Sequence, residues 1–247
     1  MLKGIYTGAL GMAVLTRRQE ASANNLANIN TSGYKKETVV ACSFPEMLIY
    51  RLHDPAAQGQ EPPLVGNLSM GLRIDDIVTD YTAGFYKETG NPLELAIMGE
   101  GYFVVNTPQG ERYTRNGVFS LSPEGRLVTS DGYPVLGKNG EIIVDKGDFS
   151  VDESGQVFLN GKLSDKLRIV SFTAPLLKEG SSLFRGEEPV EVANPKIAQG
   201  FVEESNVNAI EEMVNMINLM RAYEANQKVI QTEDSTLEKA VNEVGRI

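Results

Sequence analysis

The last forty or so residues carry the pattern that most constrains the fold of this chain. Between 206 and 244 no glycine or proline interrupts a three-four spacing typical of a heptad seam. A helix of this length extends roughly 58 Å, and its own seam cannot offset the backbone entropy of ordering it. We therefore expect a partner helix, either within the chain or from another copy. The alternative is an ordinary amphipathic helix packed on its own domain. The seam residues are Met213, Met216, Met220, Tyr223, Gln227, Ile230, Asp234, Leu237, Val241 and Val244.

A second helix is predicted over 3–28, because the same spacing recurs there. Its apolar stretch ends at Arg17-Arg18-Gln19-Glu20 and lacks a small-residue cleavage site, so we interpret it as a retained helix and not a secretory signal. Residues 1–40 carry an excess of basic side chains and residues 201–247 an excess of acidic ones. This favours pairing of the two helices, within one chain or between copies. The predicted N-terminal seam comprises Leu2, Ile5, Ala9, Met12, Thr16, Gln19, Ala23 and Leu26.

Composition excludes several classes of protein. A length of 247 residues suits one large or two moderate domains, and a net charge of -10 argues against nucleic acid as a partner. No apolar run approaches the 18 or so residues of a membrane span. The single cysteine, Cys42, rules out an internal disulfide, and the single histidine, His53, has no second ligand for zinc.

The middle of the chain comprises two stretches that differ in their spacing of apolar and turn-forming residues. Residues 41–66 place a short apolar patch before proline and glycine, which indicates an extended arm that is either a docking segment or a flexible linker. Residues 67–200 have short apolar runs between turn residues, as in an all-β sandwich or open barrel. The predicted strands are Leu72 to Thr79, Leu93 to Met98, Tyr102 to Asn106, Val118 to Leu121, Arg126 to Thr129, Glu141 to Val144, Gln156 to Leu159 and Leu167 to Phe172.

The sequence thus predicts an α+β fold in four parts: an N-terminal helix (1–40), the arm (41–66), a β domain (67–200) and a C-terminal helix (201–247). The two helices are expected to return to the same side and form a coiled-coil-like inner layer, with the all-β domain inserted between them. We expect the stretch Glu203-Glu204-Ser205-Asn206 to supply N-cap chemistry for the final helix.

No motif marks catalytic chemistry. Gly99-Glu100-Gly101 lacks the third glycine of a dinucleotide-binding loop and precedes strand-like residues, so we interpret it as a turn. The paired acids Asp75-Asp76, Glu187-Glu188 and Glu203-Glu204 are interpreted as solvated faces. We predict no enzymatic activity, no cofactor and no metal.

The stretch from Ala23 to Lys35, ANNLANINTSGYK, resembles the N-terminal signature of the bacterial flagellar axial proteins, the rod and hook family. That signature is close to A-x-N-N-[LI]-A-N-x-x-T-x-G-[YF]-[KR]; every defined position from Asn24 to Lys35 matches, and Ser22 stands where the pattern begins with alanine. Residues 93–105 and 113–119 are similar to the β-domain core of the family. Residues 204–208, Met213 and residues 221–226 are similar to its terminal helix. The length and the short β domain favour the rod class, and the arm is similar to that of its distal member, whereas the later β region is comparably similar to the proximal one.

The resemblance implies a structural subunit of the basal-body rod, exported uncleaved through the flagellar type III apparatus. Such subunits polymerise into a helical tube that transmits motor torque, with the terminal helices of many copies inside and the β domains outside. The expected partners are further copies and other axial proteins, with no membrane insertion, and the ends of the monomer are expected to order on assembly. The implied assembly residues are Asn24, Asn25, Leu26, Ala27, Asn28, Thr31, Gly33 and Tyr34, together with the C-terminal seam.

Two other functions remain as alternatives. One is a β-domain module that binds or hydrolyses cell-wall glycan, which would need acids clustered in a cleft. The other is a coiled-coil adaptor that forms a discrete oligomer. Within the seam, the polar residues Gln227 and Asp234 either set the register between subunits or face a wet lumen.

Overall fold

A computed structural model describes residues 2–50, 64–144 and 147–244 of the chain. The fold is α+β, with an N-terminal helix, a β-rich middle and a C-terminal helix. Helix α1 spans Leu2–Ala27, helix α2 spans Ala209–Lys239, and a π-helical segment follows at Ala240–Val244. Residues 51–63 of the predicted arm, His53 among them, lie outside the described residues.

The strands of the described chain are short, as the frequent turn residues require. They are β1 (Glu37–Ser43), β2 (Met47–Tyr50), β3 (Leu64–Leu68), β4 (Leu72–Thr79), β5 (Tyr86–Glu88), β6 (Leu95–Ile97), β7 (Tyr102–Thr107), β8 (Gly110–Thr114), β9 (Phe119–Leu121), β10 (Leu127–Thr129), β11 (Phe149–Val151), β12 (Gln156–Leu159), β13 (Lys162–Lys166), β14 (Ile169–Ser171), β15 (Leu177–Glu179), β16 (Leu183–Arg185), β17 (Val190–Glu191), β18 (Ile197–Gln199) and β19 (Phe201–Glu203).

The chain divides into two compact units. Unit 1 comprises Met1–Leu26, Glu37–Thr79 and Ala209–Ile247, so it holds both helices and strands β1 to β4. Unit 2 comprises Ala27–Lys36 and Asp80–Asn208, and it holds the remaining strands. These divisions differ from the predicted domain boundaries of 40, 66 and 200.

Unit 1 contains a two-part antiparallel ribbon. Strand β1 pairs with β4 from Glu37↔Thr79 to Ser43↔Leu72, and β2 pairs with β3 from Met47↔Leu68 to Tyr50↔Leu64. The Leu72 to Thr79 strand was expected in the β domain, but it pairs instead with the strand that follows helix α1. Apolar side chains are exposed along the ribbon, among them Met47, Leu48, Leu64, Val65 and Val78.

Unit 2 is organised around a six-stranded sheet in the order β15-β16-β8-β7-β14-β17. Strand β7 is buried on both faces, so its residues enter two cores. One core surrounds Phe103 and Phe119, whose rings meet edge to face at 5.1 Å. The other surrounds Tyr102 and Phe184, with ring centroids 5.6 Å apart.

Two of the turns between strands follow from their residues, and one predicted strand is absent from the described chain. Asn160 and Gly161 have φ of 51° and 75°, the two positive values of a type I′ turn, and they join β12 to β13 as a hairpin. Gly99-Glu100-Gly101 is the turn between β6 and β7, as predicted. The expected strand Glu141 to Val144 was wrong, since the structure has only isolated bridges at Glu141 and Ile143.

Helix α2 starts later than predicted. It begins at Ala209, so Asn208 occupies the N-cap position and Glu211 stands three residues further on, the spacing of a capping box. The expectation that the stretch Glu203-Glu204-Ser205-Asn206 caps the helix was wrong, because the helix begins three residues after Asn206, whose amide has other partners in unit 2.

Truncating the core should cost far more than truncating an exposed aromatic residue. We expect Phe103→Ala to lower the free energy of unfolding by about 3–5 kcal/mol, since Phe103 is 0% exposed and its removal leaves a cavity. Phe85→Ala is the matched control, because Phe85 is 84% exposed, and it should change stability by less than about 0.5 kcal/mol. Urea unfolding followed by circular dichroism measures both, and equal losses would contradict this core assignment.

Candidate assembly site

The signature begins on the last turn of helix α1, where Asn25 is 1% exposed. Its Nδ2 donates to the Glu37 carbonyl oxygen at 2.8 Å, and its Oδ1 accepts from the Glu37 backbone N–H at 2.9 Å. The side-chain amide thus satisfies both backbone groups at the first residue of β1. An amide is needed here, because a carboxylate cannot donate.

The remaining signature residues differ in burial. Gly33 and Tyr34 are buried, Leu26, Asn28 and Thr31 are half-buried, and Asn24 and Ala27 are exposed. Thr31 Oγ1 donates to Asn28 Oδ1 at 3.2 Å, and the Tyr34 N–H donates to the Thr31 carbonyl at 3.2 Å, so the helix ends in a tight local turn. Several of the implied assembly residues therefore have partners inside a single copy.

Gly33 lies where the signature meets the end of the β-rich unit. Its φ is +70°, and its N–H donates to the Glu203 carbonyl at 2.8 Å. A Cβ at this position would overlap the backbone of Arg115 and Asn116. Glycine is required both for the left-handed conformation and for this close approach.

Lys35, two residues after Gly33, forms a buried ion pair with Glu203. Lys35 Nζ lies 2.7 Å from Glu203 Oε1 and donates to the Thr82 carbonyl at 2.7 Å, and both charged side chains are 1% exposed. Arg115 Nη1 lies 3.6 Å from Glu203 Oε2, so one carboxylate faces two cations. Burial lowers the pKa of Lys35, and the charge of Glu203 partly offsets that effect.

This cluster corrects the interpretation of Glu203-Glu204 as a solvated pair. Glu204 is exposed, but Glu203 is buried among strands and also accepts the Gly84 N–H at 3.1 Å. Arg115 is held in turn by donating to the Gly99 carbonyl at 2.6 Å and the Ile97 carbonyl at 3.3 Å. Sequence offered one signal of this, since Lys35 ends the signature and Arg115 lies in the family's β motif.

Tyr34 and Asn206 form further contacts with the chain on either side of Lys35. Lys178 Nζ lies 3.7 Å from the centroid of the Tyr34 ring and donates to the Lys35 carbonyl at 3.1 Å. Asn206 Oδ1 accepts from the Lys36 N–H at 2.8 Å, and its Nδ2 donates to the Asp80 carbonyl at 2.9 Å.

Asp80 caps the loop that follows strand β4. Its Oδ1 accepts from the Thr82 N–H at 2.9 Å, and that hydrogen bond lowers the pKa of Asp80. The chain segments on either side of the ion pair are therefore fixed by hydrogen bonds of their own.

In unit 1 the two helices pack antiparallel, with glycines on the contact face of α1. A Cβ on Gly4 would lie 3.0 Å from Glu233, one on Gly8 would lie 3.0 Å from Ile230, and one on Gly11 would lie 3.6 Å from Asn226. Further along, Ser22 Oγ donates to Glu212 Oε2 at 2.6 Å in a buried contact.

The predicted C-terminal seam divides between two faces of α2. Within unit 1, Met216, Tyr223, Ile230 and Leu237 are half-buried, as a seam toward a partner helix requires. The inward positions between them belong to Glu212, Leu219, Asn226 and Glu233, which are buried or half-buried. The other seam residues, Met213, Met220, Gln227, Asp234 and Val241, are exposed, and the Val244 side chain lies outside the described residues.

Polar residues of α2 occupy inward positions because they face glycine and serine residues of α1. Glu233 lies over Gly4 and Asn226 over Gly11, while Glu212 bonds Ser22. The N-terminal seam shifts correspondingly: Val14 and Ser22 are buried, whereas Ala9, Thr16 and Ala23 are exposed.

Two further properties concern the described residues alone. Neither helix, over the residues described, combines the length and apolarity needed to cross a membrane. Within the same residues there is no group of three or more His, Cys, Asp or Glu side chains placed to hold a metal ion.

The chain combines two terminal helices in one unit with a second, β-rich unit. Three family models match it: "Flagella basal body rod protein" over residues 5–35, "Flagellar hook protein FlgE/F/G D1 domain" over 96–159, and "Flagellar basal body rod FlgEFG protein C-terminal" over 198–243. With the full-length relatives below, they show that the chain belongs to the flagellar basal-body rod protein family.

Curated relatives match along nearly their entire length. The flagellar basal-body rod protein FlgG of Bacillus subtilis is 34% identical, covering 98% of this chain and 99% of its own. The flagellar hook-basal body complex protein FlhO of the same organism is 32% identical, with 100% of both chains covered. The rod protein FlgF of Caulobacter vibrioides is also 32% identical, again over 100% of both chains. The rod interpretation of the sequence is confirmed, and no observation supports the glycan module.

Removing the carboxylate of the buried ion pair should cost more than removing its lysine. Glu203→Gln leaves Lys35 and Arg115 without their common anion, and we expect a loss of about 3–5 kcal/mol in unfolding free energy. Lys35→Met should cost less, because Arg115 still neutralises Glu203. Glu191→Gln, which removes exposed ion pairs of unit 2, is the control and should cost less than about 1 kcal/mol. Urea midpoints in the reverse order would disprove the shared-carboxylate assignment.

Gly33→Ala should be much more disruptive than the same change at another left-handed glycine. Gly132 has φ of +83°, yet no described atom lies within 4 Å of its Cβ position, so Gly132→Ala meets backbone strain alone and should cost about 1 kcal/mol. Gly33→Ala adds a clash with the Arg115 backbone, and thermal unfolding should show a markedly larger loss. Similar melting temperatures would mean that the junction yields to accommodate a methyl group.

Proposed function

We propose that this chain is a structural subunit of the flagellar basal-body rod that polymerises through its terminal helices into a helical tube and transmits motor torque. In this proposal α1 and α2 of many copies form a coiled-coil-like inner layer, and unit 2, inserted between them, forms the outer layer. The subunit reaches the rod through the type III export apparatus without loss of a signal peptide, and its partners are further copies and other axial proteins.

The observation that carries the proposal is the exposed apolar face of α2. Ile210, Met213, Val214, Ile217 and Met220 are each about half exposed or more. At 100° per residue they fall on one side of the helix, away from the side that meets α1. Contiguous apolar surface of this kind marks an interaction site, and a helical polymer supplies a partner to every copy.

The family supports a structural and non-enzymatic role. The buried carboxylates Glu203 and Glu212 are engaged with Lys35 and Ser22, which fits stabilisation of the fold. Gln227 and Asp234 are exposed on α2, where they are free to contact a neighbouring copy or water. Of these two interpretations we favour register setting, because both residues continue the line of Met213 and Met220.

Charged residues on the exposed face should block polymerisation without unfolding the subunit. We expect Met213→Glu with Met220→Glu to leave helix content unchanged, because both side chains are exposed, and to abolish filaments, because two carboxylates would be buried without partners. Asn215→Glu with Asn218→Glu adds the same two charges at exposed positions outside this set of apolar residues and should polymerise normally. Sedimentation with electron microscopy of purified protein, and swimming of the host, provide the readouts.

Filaments of ordinary yield from the double variant at Met213 and Met220 would overturn helix-mediated assembly. A discrete oligomer of the unmodified chain, measured by light scattering, would instead favour the coiled-coil adaptor.

A further inference from the structure

Phe85 is the most exposed large apolar side chain among the described residues. Its backbone is nevertheless fixed on both sides. The preceding Gly84 donates its N–H to Glu203 Oε1 at 3.1 Å, and the Phe85 carbonyl accepts from the Glu204 N–H at 2.8 Å. An exposed aromatic ring on an ordered loop loses little conformational entropy on binding, which is the property of an interface anchor.

The same unit contains a cavity with aromatic walls, which we call the socket. It has a volume of about 470 Å³, and Tyr81, Tyr102, Phe172, Leu176, Arg115 and Glu100 contribute to its lining. Phe85 is not among its lining residues, since Phe85 lines a separate groove with Lys87 and Thr89. The ring and the socket are therefore different parts of the surface of unit 2.

The socket walls are ordered before any partner arrives. The Tyr81 hydroxyl donates to the Leu176 carbonyl at 2.9 Å and accepts from the Leu176 N–H at 3.1 Å. The rings of Tyr102 and Phe172 meet edge to face at 6.0 Å, and the Arg115 guanidinium lies 5.3 Å from the centroid of Tyr102. A further aromatic ring would find edge-to-face partners here.

Charge favours a second copy of this chain as the occupant. Phe85 directly precedes strand β5 and Lys87 lies in it, and both line the same groove. In a single copy Lys87 Nζ lies 3.8 Å from Glu204 in an exposed ion pair, which is weak and leaves the ammonium accessible to a second carboxylate. Glu100 lines the socket and is exposed. If Phe85 of one copy enters the socket of the next, its Lys87 ammonium approaches the Glu100 carboxylate of that copy.

We propose that Phe85 inserts into the socket of a neighbouring copy. The contact is heterologous, because the copy that donates its ring keeps a free socket and the copy that accepts it keeps a free ring. Such contacts propagate, and where the rotation does not close they produce an open helix. This inference rests on the proposed polymerisation, and it adds a specific contact between the β-rich units to the contact between helices.

Cross-linking between copies tests the contact. In a Cys42→Ser background, Ala83→Cys marks the loop beside Phe85 and Ala174→Cys marks the socket rim, and both alanines are exposed. With Phe85 intact, a short bismaleimide added to filaments should give a ladder of covalent dimers, trimers and longer products. Neither single-cysteine variant should cross-link. Phe85→Ser in the double-cysteine chain should lower the cross-linked yield at least roughly tenfold, since the buried ring is lost.

Other outcomes separate this proposal from the general one. Filaments without a ladder, or a ladder that survives Phe85→Ser, would overturn the Phe85 contact and leave helix-mediated polymerisation standing. Dimers from Ala83→Cys alone would also overturn it, since they would place two Phe85 loops together. If the unmodified chain forms no filaments at all, the proposed polymerisation itself fails.

Discussion

The buried ion pair between Lys35 and Glu203 is the interaction on which the β-rich unit depends. It joins the end of the N-terminal signature to the last strand before helix α2, two segments far apart in sequence. Arg115 adds a second cation from the middle of the chain. A buried carboxylate that faced either cation alone would have less electrostatic compensation for its lost hydration, so the three groups have to be understood together.

Several residues of the N-terminal signature make their contacts within the fold of a single copy. Its most distinctive residues, Gly33 and Tyr34, are buried within one copy, and Asn25 bonds the backbone of strand β1. They fix the path of the chain from helix to strand. Exposed apolar side chains lie elsewhere, on one face of α2 and at Phe85, where we propose that partners bind.

Sequence periodicity predicted both helices, the β-rich middle and the family, because these follow from local patterns and from contiguous motifs. Of the predicted seam, Met216, Tyr223, Ile230 and Leu237 are half-buried, and the periodicity missed the inward Glu212, Asn226 and Glu233. Polar residues pack inward there because α1 presents glycine and serine, which a hydrophobic pattern does not register. Glu203 was misjudged for a related reason: its partners Lys35 and Arg115 are distant in sequence, and no local rule brings them together.

Hydrogen exchange, compared between the soluble subunit and its filament, tests the central claim that the signature serves the fold while α2 and Phe85 serve assembly. We expect the backbone amides of Gly33 and Lys36, which donate to Glu203 and Asn206, to be protected to the same degree in both states. Amides of α2 around Met213 to Met220 should gain protection in the filament. Signature amides that exchange freely in the subunit and become protected only on polymerisation would contradict this account.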